Sequence, residues 1–142
     1  MKALSVQANY CMLIASGDKV IEWRTWDTPY RGDILFCSTK QKIRRCISGH
    51  ALCVATLVNV RPFRRADLRD AMMDTMPDPT GFAWELDDVR LLDPPFPVKG
   101  KLGFFEVDDS LIHIHPNDET LEESEVFIRE KYLPLVWQPV RL

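Results

Sequence analysis

The run His50-Ala51-Leu52-Cys53-Val54-Ala55-Thr56-Leu57-Val58-Asn59-Val60 constrains this chain more than any other segment. Rich in β-branched and apolar residues, it is the longest strand-like stretch. Pro62 either ends it or puts its end on a sheet edge. Shorter strand-like runs lie at 20–26, 34–37, 82–92 and 102–107, and Pro94-Pro95-Phe96-Pro97 is read as breaking the third of these. Helical patterns are few and short. Residues 8–16 are nearly continuously apolar and stop at Gly17, which supplies a left-handed cap. Residues 66–73 predict a second helix closed by Pro77 and Pro79. Residues 121–132 predict a third, whose first turns are crowded with acids as the helix dipole favours. The strands cluster instead of alternating with long helices. The expected class is therefore α+β, a small β-barrel of about five or six strands with short flanking helices.

Composition narrows the reading. At 142 residues, with 46% hydrophobic and 10% aromatic, the chain can bury one core and reads as a single domain, 1–142. Intrinsic disorder is excluded. No apolar run approaches the roughly 18 residues of a membrane helix. Residues 1–7 lack the apolar stretch of a signal peptide, so a cytoplasmic protein with no membrane partner is expected. The four cysteines, at 11, 37, 46 and 53, form no C-x-x-C pair and are read as reduced packing thiols. His113 and His115 share a face if extended. They lack a full ligand set unless acids such as Asp108, Asp109 or Asp118 join them, so no metal site and no cofactor are expected. His50, Trp84 and Trp137 are read as packing residues.

Net charge is -3, yet it sums two opposed regions. Between 40 and 69 stand Lys40, Lys42, Arg44, Arg45, Arg61, Arg64, Arg65 and Arg69 against Asp67 alone. That stretch is either a solvated face or a phosphate-tracking surface, and Lys99 and Lys101 raise the same pair of readings. Between 106 and 130, nine acids face Arg129 alone. A mildly acidic total therefore does not argue against an anionic partner.

The segment Gly17-Asp18-Lys19-Val20-Ile21-Glu22-Trp23-Arg24-Thr25-Trp26 carries the most chemistry. Strand alternation puts Ile21, Trp23 and Thr25 on one face and Glu22, Arg24 and Trp26 on the other. An acid, a guanidinium fork and an indole on one face suit either a solvated ion pair or a surface that grips phosphate and stacks a base.

These residues also carry a resemblance. Gly17, Lys19, Glu22 and Arg24 fill the G-x-K-x-x-E-x-R hallmark, and the sequence resembles an ASCH domain, within the PUA-like barrel superfamily. Also similar are Met1-Lys2-Ala3-Leu4-Ser5, Trp26, Thr28, Tyr30-Arg31-Gly32, Ser38, Gly81-Phe82-Ala83-Trp84 and the stretch from Pro97 to Val107. The resemblance covers about residues 1–107, leaving 108–142 as an acidic C-terminal extension. Where many relatives have a Gln-Pro-aromatic turn, this chain has Gln7-Ala8-Asn9-Tyr10.

The resemblance implies a PUA-like barrel that binds RNA, other single-stranded nucleic acid, or a nucleotide or nucleoside. The ligand residues implied are Tyr10, Lys19, Glu22, Arg24, Trp26, Arg31, Ser38 and Lys40. Arg24 grips phosphate or a base edge, Trp26 or Tyr10 stacks, and Lys19 with Glu22 hydrogen-bonds polar groups. An enzymatic alternative uses Lys19, Glu22 and Arg24 as catalytic groups of a metal-independent ribonuclease. A further alternative is hydrolysis of N4-acetylcytidine, as in a subgroup with a similar fold. There a threonine stands where this chain has Glu22, and Thr25 faces the other way. The remaining reading is a protein-interaction module that docks a partner through the acidic extension.

Overall fold

The computed structural model describes residues 1–116 and 118–137. Its six strands are β1 (Lys2–Val6), β2 (Ile21–Arg24), β3 (Gly32–Ser38), β4 (His50–Pro62), β5 (Phe82–Pro97) and β6 (Phe104–Glu106). They form one sheet in the order β2-β5-β4-β3-β1-β6. β1 and β3 run parallel, and the other neighbours are antiparallel. Helix α1 (Ala8–Ser16) follows β1. Near the C-terminus, α2 (Leu121–Phe127) and α3 (Leu133–Val136) are joined by a π-helical turn, Ile128–Tyr132. The α+β class and the strand count match the expectation, and no described helix is long and apolar enough to cross a membrane.

β4 lies inside the sheet because both of its faces are apolar, and residues 51–55 are fully buried. On one side Leu52, Ala55 and Leu57 pack with Leu4, Ile14, Phe36 and Trp84. On the other, Ala51 and Val54 pack with Ala3, Leu35, Leu92 and Phe105. Three register shifts along the β4–β5 ladder bend the pair. The sheet curls until its edges meet through side chains. Trp26, just beyond β2, stands edge-on to Trp84 at 4.7 Å and to Phe104 of β6 at 5.3 Å.

Four expectations change. Pro94, Pro95 and Pro97 do not break β5. The β2 ladder ends at Glu85, so the later part of β5 is mostly an edge, where a missing N–H is tolerated. Residues 66–73 are not a helix. A 3₁₀ turn at Arg65–Asp67 gives way to turns, with Met72 at φ 55°. The carbonyl of Asp70 accepts from the amides of Val20 and Ile21, and that of Ala71 accepts from the Lys19 ammonium, so the end of this turn is tied to the segment that enters β2. The strand expected at 102–107 shrinks to Phe104–Glu106, and the helical stretch from 121 runs on to Val136.

The C-terminal segment is packed against the sheet. Phe127, Tyr132 and Val136 belong to the same core as Trp84, and the Tyr132 hydroxyl donates to the Leu52 carbonyl at 2.9 Å. His115 lies flat on Phe127, ring centroids 3.5 Å apart, and its Nε2 is 2.6 Å from a Glu119 oxygen. His113 is exposed, and among the described residues no three His, Cys, Asp or Glu side chains are grouped to hold a metal ion. Asn117 and residues 138–142 of the extension lie outside the described residues.

Asp67 anchors the turn that replaces the expected helix. Its carboxylate takes two hydrogen bonds from Arg61, each 2.8 Å, and a third from the Arg64 amide. Arg61 is the main cause that holds the Asp67 carboxyl below the usual carboxylate range. This contribution is present above pH 3.8 and fades as pH falls through the lower folded value. Asp67→Ala leaves the Arg61 guanidinium with Glu85 alone and should cost about 2 kcal/mol in urea unfolding at neutral pH, with a smaller difference from wild type in acid.

Candidate functional site

The hallmark residues lie where α1 turns into β2. Gly17 at φ 84° ends α1, and its amide donates to Ile14, while the Lys19 amide donates to Leu13. The chain reverses there and enters β2. Alternation along the strand points Ile21 into the cluster of Phe63, Ala71 and Ala83, and leaves Glu22 and Arg24 on the cavity side.

Lys19 is 1% exposed. Its ammonium donates to the Ala71 carbonyl at 2.5 Å, lies 3.6 Å from a Glu22 oxygen and sits 4.8 Å above the Tyr10 ring. The other Glu22 oxygen is 3.6 Å from Arg24 Nη1, which also contacts the Ser5 carbonyl at 3.4 Å. Glu22, 4% exposed, is thus a buried carboxylate between two cations. These groups border a cavity of about 280 Å³ lined by Val6, Gln7, Tyr10, Lys19, Glu22, Trp23, Arg24 and Met73. Burial drives the Lys19 ammonium below its ordinary range, and Glu22 resists the change. Burial likewise drives the Glu22 carboxyl up, opposed by Lys19 and Arg24. Each group is pushed toward its neutral form, so a proton between them is easier to move than between exposed partners.

Four of the eight expected ligand residues, Tyr10, Lys19, Glu22 and Arg24, share this cavity. Ser38 and Lys40 border a second cleft, of about 750 Å³, on the other side of the end of β1. Ser38 is 3% exposed, and its hydroxyl is engaged with the His50 backbone. Trp26 packs against Trp84 and Phe104. Arg31 borders neither cavity and stitches its own turn by donating to the carbonyls of Thr28 and Tyr30. Sequence reasoning missed Gln7, Met73 and the Ala71 carbonyl, since two of these come from the segment misread as a helix. Trp23, assigned by alternation to the opposite face, borders the cavity while its indole donates to the Thr80 carbonyl. All four cysteines are free and buried, and burial raises every thiol, Cys37 to about 12, which keeps them protonated and poorly nucleophilic.

The sign of the Glu22 shift makes a testable statement. Its folded value lies above the ordinary 4.5, so its contribution to stability is complete below that pH and is lost as pH rises through the folded midpoint. Thermal melts of the wild type over a pH series should show this step, and Glu22→Gln should lack it. Lys19→Met removes one of the two cations, so the Glu22 carboxyl in that variant should titrate higher still by carbon NMR.

Comparison with known proteins gives a family and a fold. No curated protein matches the chain in sequence. The crystal structure of ASCH from Zymomonas mobilis superposes with a TM-score of 0.58 at 14% identity, covering 91% of this chain and 94% of that one. A serine-to-alanine mutant of that protein gives 0.58 at 13% identity, with 78% and 95% covered. A tyrosine-to-phenylalanine mutant gives 0.54 at 12%, with 91% and 96% covered. At such identities the likeness concerns the fold. The sequence model of the ASCH domain, however, matches residues 4–96, most of the barrel and the whole hallmark segment, so this chain belongs to the ASCH domain family.

Proposed function

We propose that the protein binds RNA or a nucleotide, seating a ring of the ligand in the cavity beside Lys19, Glu22 and Arg24. The observation that carries this reading is the polar wall of that cavity. A buried carboxylate offers acceptors, and beside it a guanidinium has a single long backbone contact and can give its remaining donors to a base edge or phosphate. The Tyr10 ring borders the same space and offers a stacking face. At about 280 Å³ the cavity falls just below the roughly 300–1,000 Å³ of pockets that enclose a drug-sized ligand, which suits one ring system better than a whole nucleotide. Membership of the ASCH family supports the same class of ligand, since the PUA-like fold is often associated with RNA binding.

Cleavage is the second reading, and the opposed shifts of Lys19 and Glu22 favour it. An ammonium pushed toward the amine and a carboxylate pushed toward the acid are the pair a metal-independent phosphodiester cleavage uses as base and acid. Amide hydrolysis fits less well. Glu22 occupies the nucleophile position, and Thr25 is exposed and does not border the cavity.

Fluorescence anisotropy with a labelled single-stranded octanucleotide RNA tests binding. Arg24→Ala and Tyr10→Ala should each weaken it about tenfold, or about 1.4 kcal/mol. Equal affinity of wild type and both variants across a salt titration would reject the site. Cleavage is tested on the same RNA by gel, with product expected from the wild type and none from Glu22→Gln.

A further inference from the structure

The larger cleft opens at the carboxyl ends of the parallel pair β1 and β3, between the loop that follows β3 and the loop that joins β5 to β6. Three lysines border it, Lys40 from the first loop and Lys99 and Lys101 from the second, and no acid does. Among the described residues none of the three makes an ion pair. Three hydroxyls also border the cleft. That of Ser38 is used by His50, but Ser5 Oγ and Thr39 Oγ1 are buried without any hydrogen-bond partner. A buried hydroxyl left unpaired is destabilising, and two in one cleft beside unpaired cations mark a place built for an acceptor that arrives from outside. Close backbone approach is part of the build: a Cβ at Gly100 would stand 2.3 Å from Ser5 Oγ.

We infer that this cleft is a phosphate subsite. On binding, rotation about χ1 turns the buried hydroxyls of Ser5 and Thr39 into the cleft to donate to the phosphate oxygens, and Lys40, Lys99 and Lys101 supply the countercharge. The inference rests on the proposed function for the source of the phosphate, which is the backbone of the strand whose base enters the smaller cavity. Two observations join the sites. The last residues of β1 divide them, with Ser5 bordering the larger and Val6 and Gln7 the smaller. Arg24 reaches across to the Ser5 carbonyl. The cleft wall also includes Pro97, Val98 and the fully exposed Leu102, an apolar surface that suits a ribose-phosphate chain better than a bare inorganic anion.

The test compares probes with and without phosphate. By titration calorimetry, uridine 5′-monophosphate should bind the wild type at least about tenfold more tightly than uridine, and that ratio should fall toward one in the double variant Lys99→Ala/Lys101→Ala. For octauridylate the salt slope should drop by about 1.4 in the same variant, about 0.7 per cation removed from a single-strand contact. The control Arg65→Ala/Arg69→Ala removes two exposed cations that border neither cavity and should keep the wild-type ratio. Ser5→Ala should weaken the monophosphate about fivefold while its unliganded melting temperature stays equal or rises, because an orphan hydroxyl has gone. An unchanged ratio and slope in the lysine double variant would overturn the subsite. If no nucleotide probe binds the wild type, the function above has failed, and the subsite is judged by inorganic phosphate alone. Saturable amide shifts at Ser5, Thr39 and Gly100 that vanish in the lysine variant then support a free-anion site, and their absence overturns it.

Discussion

A lysine ammonium taken almost wholly out of water must find partners, because the desolvation penalty of an ion in a protein interior is several kcal/mol. Lys19 finds them in three separate parts of the chain: Glu22 on β2, the Ala71 carbonyl in the turn after the 3₁₀ segment, and the Tyr10 ring on α1. Satisfying that one charge fixes the helix, the edge strand and the turn relative to one another, and the cavity is the space left between them. Buried ion pairs of this kind contribute little net stability, and well-packed apolar residues of similar volume often do better. What the pair supplies is a polar wall already oriented before a ligand arrives.

The sequence made part of this legible, for physical reasons that can be named. Strand alternation suffices to put Glu22 and Arg24 on one side, and it assigned Ile21 correctly to the other. The apolar run at 50–60 could only be an inner strand, and it is one. The segment 66–73 misled because its local pattern is helical, while Arg61 holds Asp67 and Met72 turns left-handed at φ 55°, constraints set by residues outside the segment's own pattern. Trp26 and Arg31 carry the right chemistry for a ligand, and both also make contacts within the protein, Trp26 with the Arg24 guanidinium 5.8 Å from its ring. Trp26 closes the curled sheet against Phe104, and Arg31 secures the carbonyls of its own turn. The β5 prolines misled for the opposite reason, since which part of a strand is an edge is a property of its neighbours.

Charge was the least legible feature. The basic residues between 40 and 69 share one stretch of sequence but do not line one cavity. Arg61 is neutralised by Asp67 and Glu85, and Arg65 and Arg69 border neither cavity. Of its members Lys40 alone borders the larger cleft, and the cations that join it there, Lys99 and Lys101, come from the far end of β5. The acidic extension is likewise partly structural, with Glu119 holding His115 against Phe127 and the helical residues Phe127, Tyr132 and Val136 closing the core.

Both cavities hang on the end of one strand. The Val6 carbonyl accepts from the Thr39 amide at 2.9 Å, and the Ser5 carbonyl receives Arg24, so the polar groups of each site are tied to consecutive peptide units of β1. Side chains on a strand alternate sides, so Ser5 and Val6 border different cavities at a separation set by a rise of about 3.3 Å per residue. Sites carried by a regular strand hold their spacing better than sites carried by loops. The arrangement is nevertheless destabilising where it stands, with a buried ion pair on one side of β1 and two orphan hydroxyls on the other, the latter costing about 1–3 kcal/mol each if left dry. It is offset one strand pair away, where β4 is buried on both faces by two apolar clusters and by the C-terminal helices. The extension beyond the family's matched residues therefore belongs to the physics of the site, because it helps provide the packing against which the polar end of β1 can be held.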